Sequence, residues 1–300
     1  MSFYFIYPLA YLVGLLPYKV QFLLSDVFRF MLYKVFKYRL GVVRMNLRNS
    51  FPEKGPEELH QIEVNYYKHL ADVFLETISL TSVTRAHMLE RMQFINTDQI
   101  EQATEGRSWI AAMAHYGSWE YTSSYSLHTS HHKVLGVYRP LADKGFDRFY
   151  SLIRSRFGSV PVPMKGIARK AIRAKEPLKE VAIALIADQN PPFAPKGPWI
   201  DFLNHKTLFF LGMEKLALKF HMPVAFVHID KVKRGYYRAW FELIYDGQEA
   251  VENGEITRRY AQRLEAMIRR RPELWVWSHR RWKYEPPKEY CDSEDKSVRP

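Results

Sequence analysis

Residues Ser108–Glu120 read SWIAAMAHYGSWE, a short apolar run closing on a histidine, a glycine and a carboxylate. The run Ser108–Ala114 has the length and texture of a strand buried on both faces. Three further runs share it: Lys133–Val137 (KVLGV), Val181–Ala187 (VAIALIA) and Val224–Val227 (VAFV). Helical stretches separate them at Trp119–Leu127, Gly145–Phe157, Lys165–Lys175 and Leu208–Phe220. Strand and helix alternating in this way imply crossover units. The fold class expected is α/β, with a mostly parallel central sheet flanked by helices.

Polar residues stand where each run ends. His115 follows the first, Tyr138-Arg139-Pro140 the second, Asp188-Gln189 the third and His228 the fourth. Ligands of open α/β sheets bind beyond the carboxyl ends of the strands, so these ends define a site. His115 and Glu120 are five positions apart, about 140° of rotation on one helix, so they do not share a helical face. They meet if His115 sits in the turn after the strand and Glu120 one turn into the next helix. Gly117 and Ser118 suit that turn and its N-cap. Glu120 is then expected to accept from one imidazole nitrogen, leaving the other as a base.

No serine or cysteine stands as an obvious nucleophile. Ser118 is not in a G-x-S-x-G turn, and Cys291, the single cysteine, lies in a polar tail. Direct attack is the simpler scheme: His115 deprotonates an acceptor hydroxyl, which attacks an acyl thioester. Backbone N–H groups near Gly117, or the Arg139 guanidinium, are the expected oxyanion donors. A bare His-x4-Glu pair is weak evidence among 11 histidines, and it gains weight from the strand before it. Taken alone, Arg139 fits a surface charge and Asp188 a helix N-cap, while His228 reads as core. His128, His131 and His132 lack a carboxylate or cysteine at ligand spacing and read as a solvated loop, not a metal site.

Composition frames this chemistry. With 300 residues, 47% of them hydrophobic, and a net charge of +12, the chain can bury a core and favours polyanionic partners. One cysteine excludes an internal disulfide and a thiolate metal cluster. Ser2–Leu24 carries a single charge, Lys19, and is rich in aromatics; Arg29, Lys34, Lys37 and Arg39 follow. It lacks the basic start and small-residue cleavage site of a signal peptide. Interrupted by Pro8 and Pro17, it reads as a helical anchor lying in or dipping into one leaflet. Two core helices of a soluble domain are the plainer alternative. The layout expected is an anchor over residues 1–40, a catalytic domain over 41–284 and a polar tail over 285–300. Pro56, Glu57 and Glu58 open a long amphipathic helix reaching Leu80. An Arg-rich helix spans Gly254–Arg271 and leads into Trp275, Trp277 and Trp282.

These motifs, in order, resemble the lipid A biosynthesis lauroyl/myristoyl acyltransferases of the lysophospholipid acyltransferase superfamily. The apolar N-terminus precedes Arg44-Met45-Asn46-Leu47 and Phe51-Pro52. AHYGSWE resembles the family's His-x4-Asp/Glu block. Tyr138-Arg139-Pro140, Arg156-Phe157-Gly158, Ala187-Asp188-Gln189, Trp199–Leu203, Arg271–Trp275 and His279–Lys283 follow in the family's order. Tyr116, Ser118 and the loop Asn190–Gly197 depart from the pattern. The resemblance implies an acyl carrier protein thioester as donor, an anionic glycolipid (a lipid A precursor) as acceptor, and work at the cytoplasmic face of a bacterial inner membrane. It implies no metal or organic cofactor. In it, His115 is the general base and Glu120 its partner, with Gly117, Arg139, Asp188 and Gln189 in the substrate and oxyanion site. The Arg-rich helix then faces either acidic partner or simply solvent. An O-acyltransferase for another lysolipid, aminolipid or glycosylated phospholipid would use the same residues. A non-catalytic basic membrane or nucleic-acid-binding protein is the rival from another class, but the chain has no helix-turn-helix, zinc-finger or RNA-recognition signature, and nucleic acid is not an expected partner.

Overall fold

The computed structural model describes residues 2–165, 181–190 and 197–287. The four apolar runs are strands: β2 (Trp109–Met113), β3 (Lys133–Tyr138), β5 (Val181–Ile186) and β8 (Val224–Lys233). Three shorter or less apolar segments join their sheet: β1 (Met92–Phe94), β4 (Val160–Pro163) and β9 (Tyr236–Tyr245). The order across the sheet is β1-β9-β8-β2-β5-β3-β4. All neighbours are parallel except β8 and β9, which form an antiparallel hairpin turning at Arg234-Gly235. The sheet is therefore mostly parallel, as expected. The hairpin extends β8 six residues past Val227 because Asp230, Lys231 and Lys233 lie beyond the buried part of the strand, where polar side chains are tolerated. A small second sheet pairs β6 (Trp199–Phe202) with β7 (His205–Leu208).

The flanking elements also follow the pattern. They are α3 (Leu40–Ser50), α4 (Pro56–Ser79), α5 (Arg85–Arg91), α6 (Thr97–Thr104), a 3₁₀ helix at Trp119–Leu127, α7 (Lys144–Ser155), α8 (Gly212–Phe220) and α9 (Glu255–Arg270). α4 begins on Pro56 with Glu57 and Glu58 in its first turn, where a missing N–H costs nothing and acids favour the helix dipole. The expected helix Lys165–Lys175, the loop Asn190–Gly197 and the tail beyond Tyr284 fall largely outside the described residues.

At the N-terminus, α1 (Ser2–Leu15) and α2 (Tyr18–Phe30) are two helices because Pro17 interrupts them. Gln21 clamps the break, its side-chain amide donating to the carbonyls of Gly14 and Leu16. Lengths of roughly 20 Å each follow from about 1.5 Å per residue, short of the ~30 Å hydrocarbon layer. Among the described residues no helix is long and apolar enough to cross a membrane. One side of the pair packs on the domain: Phe28 stacks on Phe74 of α4 at 4.7 Å, and Ser25 donates to the buried Asp72. The other side leaves Phe5, Leu9, Leu12, Leu23, Val27 and Phe30 exposed.

Candidate active site

The parallel register places β2 beside β5, with Met113 opposite Ile186. Two residues further along each strand stand His115 and Asp188, so neighbouring strands deliver them to one point. The His115 Nδ1 lies 2.8 Å from Asp188 Oδ1, and the His115 amide donates to Asp188 Oδ2 at 2.9 Å. The Trp275 indole N–H donates to the same Oδ2 at 2.9 Å. Asp188 is fully buried. Burial pushes its carboxyl up, but the His115 charge and these donors outweigh that, holding it below the usual carboxylate range. An ionised carboxylate only accepts, so Nδ1 carries the hydrogen, and in the neutral imidazole Nε2 presents its lone pair. The imidazole is about a fifth exposed, and its Nε2 sits 3.5 Å from the side-chain nitrogen of the exposed Gln189.

The expected partnership of His115 with Glu120 is corrected by this geometry. Gly117 adopts φ +58°, and the 3₁₀ helix begins at once with Trp119. Trp119 then packs edge-on against the imidazole, ring centres 5.3 Å apart. Glu120 turns the other way and is gripped by Arg154 of α7, Nε at 2.8 Å and Nη2 at 2.5 Å. The pair is largely buried and flanked by the rings of Tyr138 and Tyr150. Ser118 occupies the N-cap position but its side chain makes no cap bond.

The oxyanion expectation at Gly117 also changes. Its amide donates to the Leu274 carbonyl, so that N–H is not free for a substrate. Gly117 is instead a packing requirement: a Cβ there would stand 2.8 Å from Ile229, in a backbone conformation that favours glycine. Arg139 is exposed just past the end of β3, on the far side of β5 from His115, with no ion pair among the described residues. His228 points from the opposite face of the sheet to Val227, stacks on Trp240 and bonds Glu242. His128 and His132 direct Nε2 to the carbonyls of Met92 and Arg107.

On the His115 face of the sheet, Ala111, Ala182 and Ala184 leave a small apolar cavity with room for about one water molecule; Phe94, Met113, Thr122, Tyr125, Val134, Val227 and Phe241 complete its lining.

Two residues of the site escaped sequence reasoning. Trp275 follows the Arg-rich helix in sequence, and nothing local ties it to Asp188, 87 positions away. Arg154 lies 34 positions from Glu120, a spacing that carries no signal in the sequence.

The sequence profile of the bacterial lipid A biosynthesis acyltransferase family matches residues 2–284. One curated relative is a lipid A biosynthesis acyltransferase of Haemophilus influenzae, 27% identical over 115 residues. That stretch is 38% of this chain and 36% of the relative's length.

Proposed function

This chain belongs to the bacterial lipid A biosynthesis acyltransferase family, and we propose that it moves a fatty acyl chain from an acyl carrier protein thioester to a hydroxyl of a lipid A precursor. The observation carrying this reading is the His115–Asp188 pair at adjacent parallel strand ends, with Nε2 open beside Gln189. His115 Nε2 takes the proton of the acceptor hydroxyl as its oxygen attacks the thioester carbonyl. The tetrahedral oxyanion collapses, the C–S bond breaks, and the imidazolium returns its proton to the leaving thiolate. Asp188 orients the imidazole and offsets its transient charge. Gln189 and Arg139, both exposed at neighbouring strand ends, are the donors best placed for the oxyanion or an acceptor phosphate. Glu120 acts at one remove, by holding Arg154 and with it α7 beside the turn that carries His115.

The exposed apolar side of α1 and α2, with Lys19, Arg29, Lys34 and Lys37 around it, rests on the cytoplasmic face of the inner membrane. The test is transfer by the purified full chain from acyl carrier protein thioesters to a panel of lipid hydroxyl acceptors. His115→Ala and Asp188→Asn each lower the rate on the order of 10²–10⁴-fold while the fold persists. Unchanged transfer by His115→Ala defeats the assignment.

A further inference from the structure

The Asp188 carboxylate has no contact with water and receives three N–H donors. Two converge on Oδ2, from the His115 amide and the Trp275 indole, and the third is the His115 ring on Oδ1. We propose that Trp275 is a positioning residue of the reaction: its indole N–H, sharing Oδ2 with the His115 amide, fixes the carboxylate plane so that Oδ1 is left for the imidazole. This inference rests on His115 being the base.

The backbone ties Trp275 to the same turn that it serves. Tyr116 and Trp275 form an isolated antiparallel bridge, and the Gly117 amide donates to the Leu274 carbonyl. Two backbone links therefore join the Leu274-Trp275 segment to the turn after His115, and the indole reaches Asp188 from that anchored position. The ring is locked edge-on by Trp277 at 4.8 Å and Phe202 at 5.8 Å. Its neighbours use their donors elsewhere: Trp277 on the Pro272 carbonyl and Trp282 on the Thr207 hydroxyl. Packing alone asks for a ring of this shape; it does not ask for the N–H.

Other titratable groups face the pair without bonding Asp188. Arg281 is buried, its guanidinium bonded to Asn190 Oδ1 and the Leu208 carbonyl. Tyr260 donates to the Met113 carbonyl. His279 is pushed down, mainly by burial, and so is neutral near pH 7. None of them replaces the indole if it is lost.

Removing the donor leaves more negative charge on Asp188. The carboxylate then holds a protonated imidazole more firmly, and its plane is free to turn. The experiment compares the full-length enzyme with Trp275→Phe and with benzothienylalanine at position 275, which keeps the indole shape and lacks the N–H. The His115 ring ¹⁵N signals, followed against pH, are expected to titrate at higher pH in both variants, by roughly half a unit or more. With the acceptor that the wild-type enzyme uses, kcat falls about tenfold and KM stays within about twofold. A His115 titration unchanged in the benzothienylalanine protein overturns the inference, even if Trp275→Phe misfolds. That titration needs no substrate, so it stands apart from the proposed reaction. Full activity of His115→Ala would remove the base and leave the titration result intact.

Discussion

At the scale of single residues, the site separates two carboxylates by what each can reach. Asp188 is paired to an imidazole and Glu120 to a guanidinium, so their losses differ in kind. Asp188→Asn keeps the volume and removes the charge; transfer falls while the melting temperature moves little. Glu120→Leu strands Arg154 in a half-buried position, and breaking such a pair costs on the order of 1–3 kcal/mol once the partial exposure of Arg154 is allowed for. The expected result is a lower melting temperature together with lower activity, and Glu120→Leu with Arg154→Leu recovers stability beyond either single change. Thermal denaturation of the four proteins checks this; strict additivity would mean that the pair is not coupled.

At the scale of elements, α4 carries a buried polar stripe of His69, Asp72 and Glu76 against the β8–β9 hairpin. Asp72 is satisfied by Lys231, Arg234 and Ser25. Glu76 accepts from Tyr237, yet burial pushes its carboxyl up to about 7, above the usual carboxylate range. The folded chain therefore keeps a proton that the unfolded chain has released. That contribution is present in full below pH 4.5 and is lost as pH rises through 7. Glu76→Gln keeps an acceptor for Tyr237 and carries no charge, so it raises the melting temperature by several degrees at pH 8 and by less at pH 5. A gain equal at both pH values would place the effect in packing. How much of this was legible follows from the patterns themselves. VAIALIA and SWIAAMA announce strands because both faces are buried, and the strand-end rule brought His115, Arg139, Asp188 and Gln189 to one edge. β9 was missed because its hairpin alternates buried and exposed residues, with Arg238 and Glu242 breaking the run. His115 and Glu120 are neighbours in sequence, whereas the parallel register brings His115 to a residue 73 positions away.

At the scale of the whole molecule, the surplus positive charge is unevenly compensated. On α9, Arg258 and Arg259 pair with Glu255, Arg263 with Glu242, Arg269 with Glu265 and Arg271 with Glu273; Arg270 instead lies over Trp240. Among the described residues, Lys19, Lys34 and Lys37, near the exposed apolar face of α1 and α2, have no such offset. Lys34→Glu with Lys37→Glu is therefore expected to weaken binding to anionic vesicles about tenfold or more, at roughly 1 kcal/mol per lysine, and Arg263→Ala to leave it unchanged. Because α2 packs on α4, deleting the N-terminus would also expose core, and these point changes are the cleaner probe. The account as a whole depends on one imidazole acting on one thioester. The most direct test is single-turnover transfer of a labelled acyl group from acyl carrier protein to a lipid A precursor by the full-length protein and by His115→Ala, with folding of both checked by thermal denaturation. The expected result is labelled acylated lipid with the unaltered protein and a rate lower on the order of 10²–10⁴-fold with the variant. Equal rates from two folded proteins would contradict it.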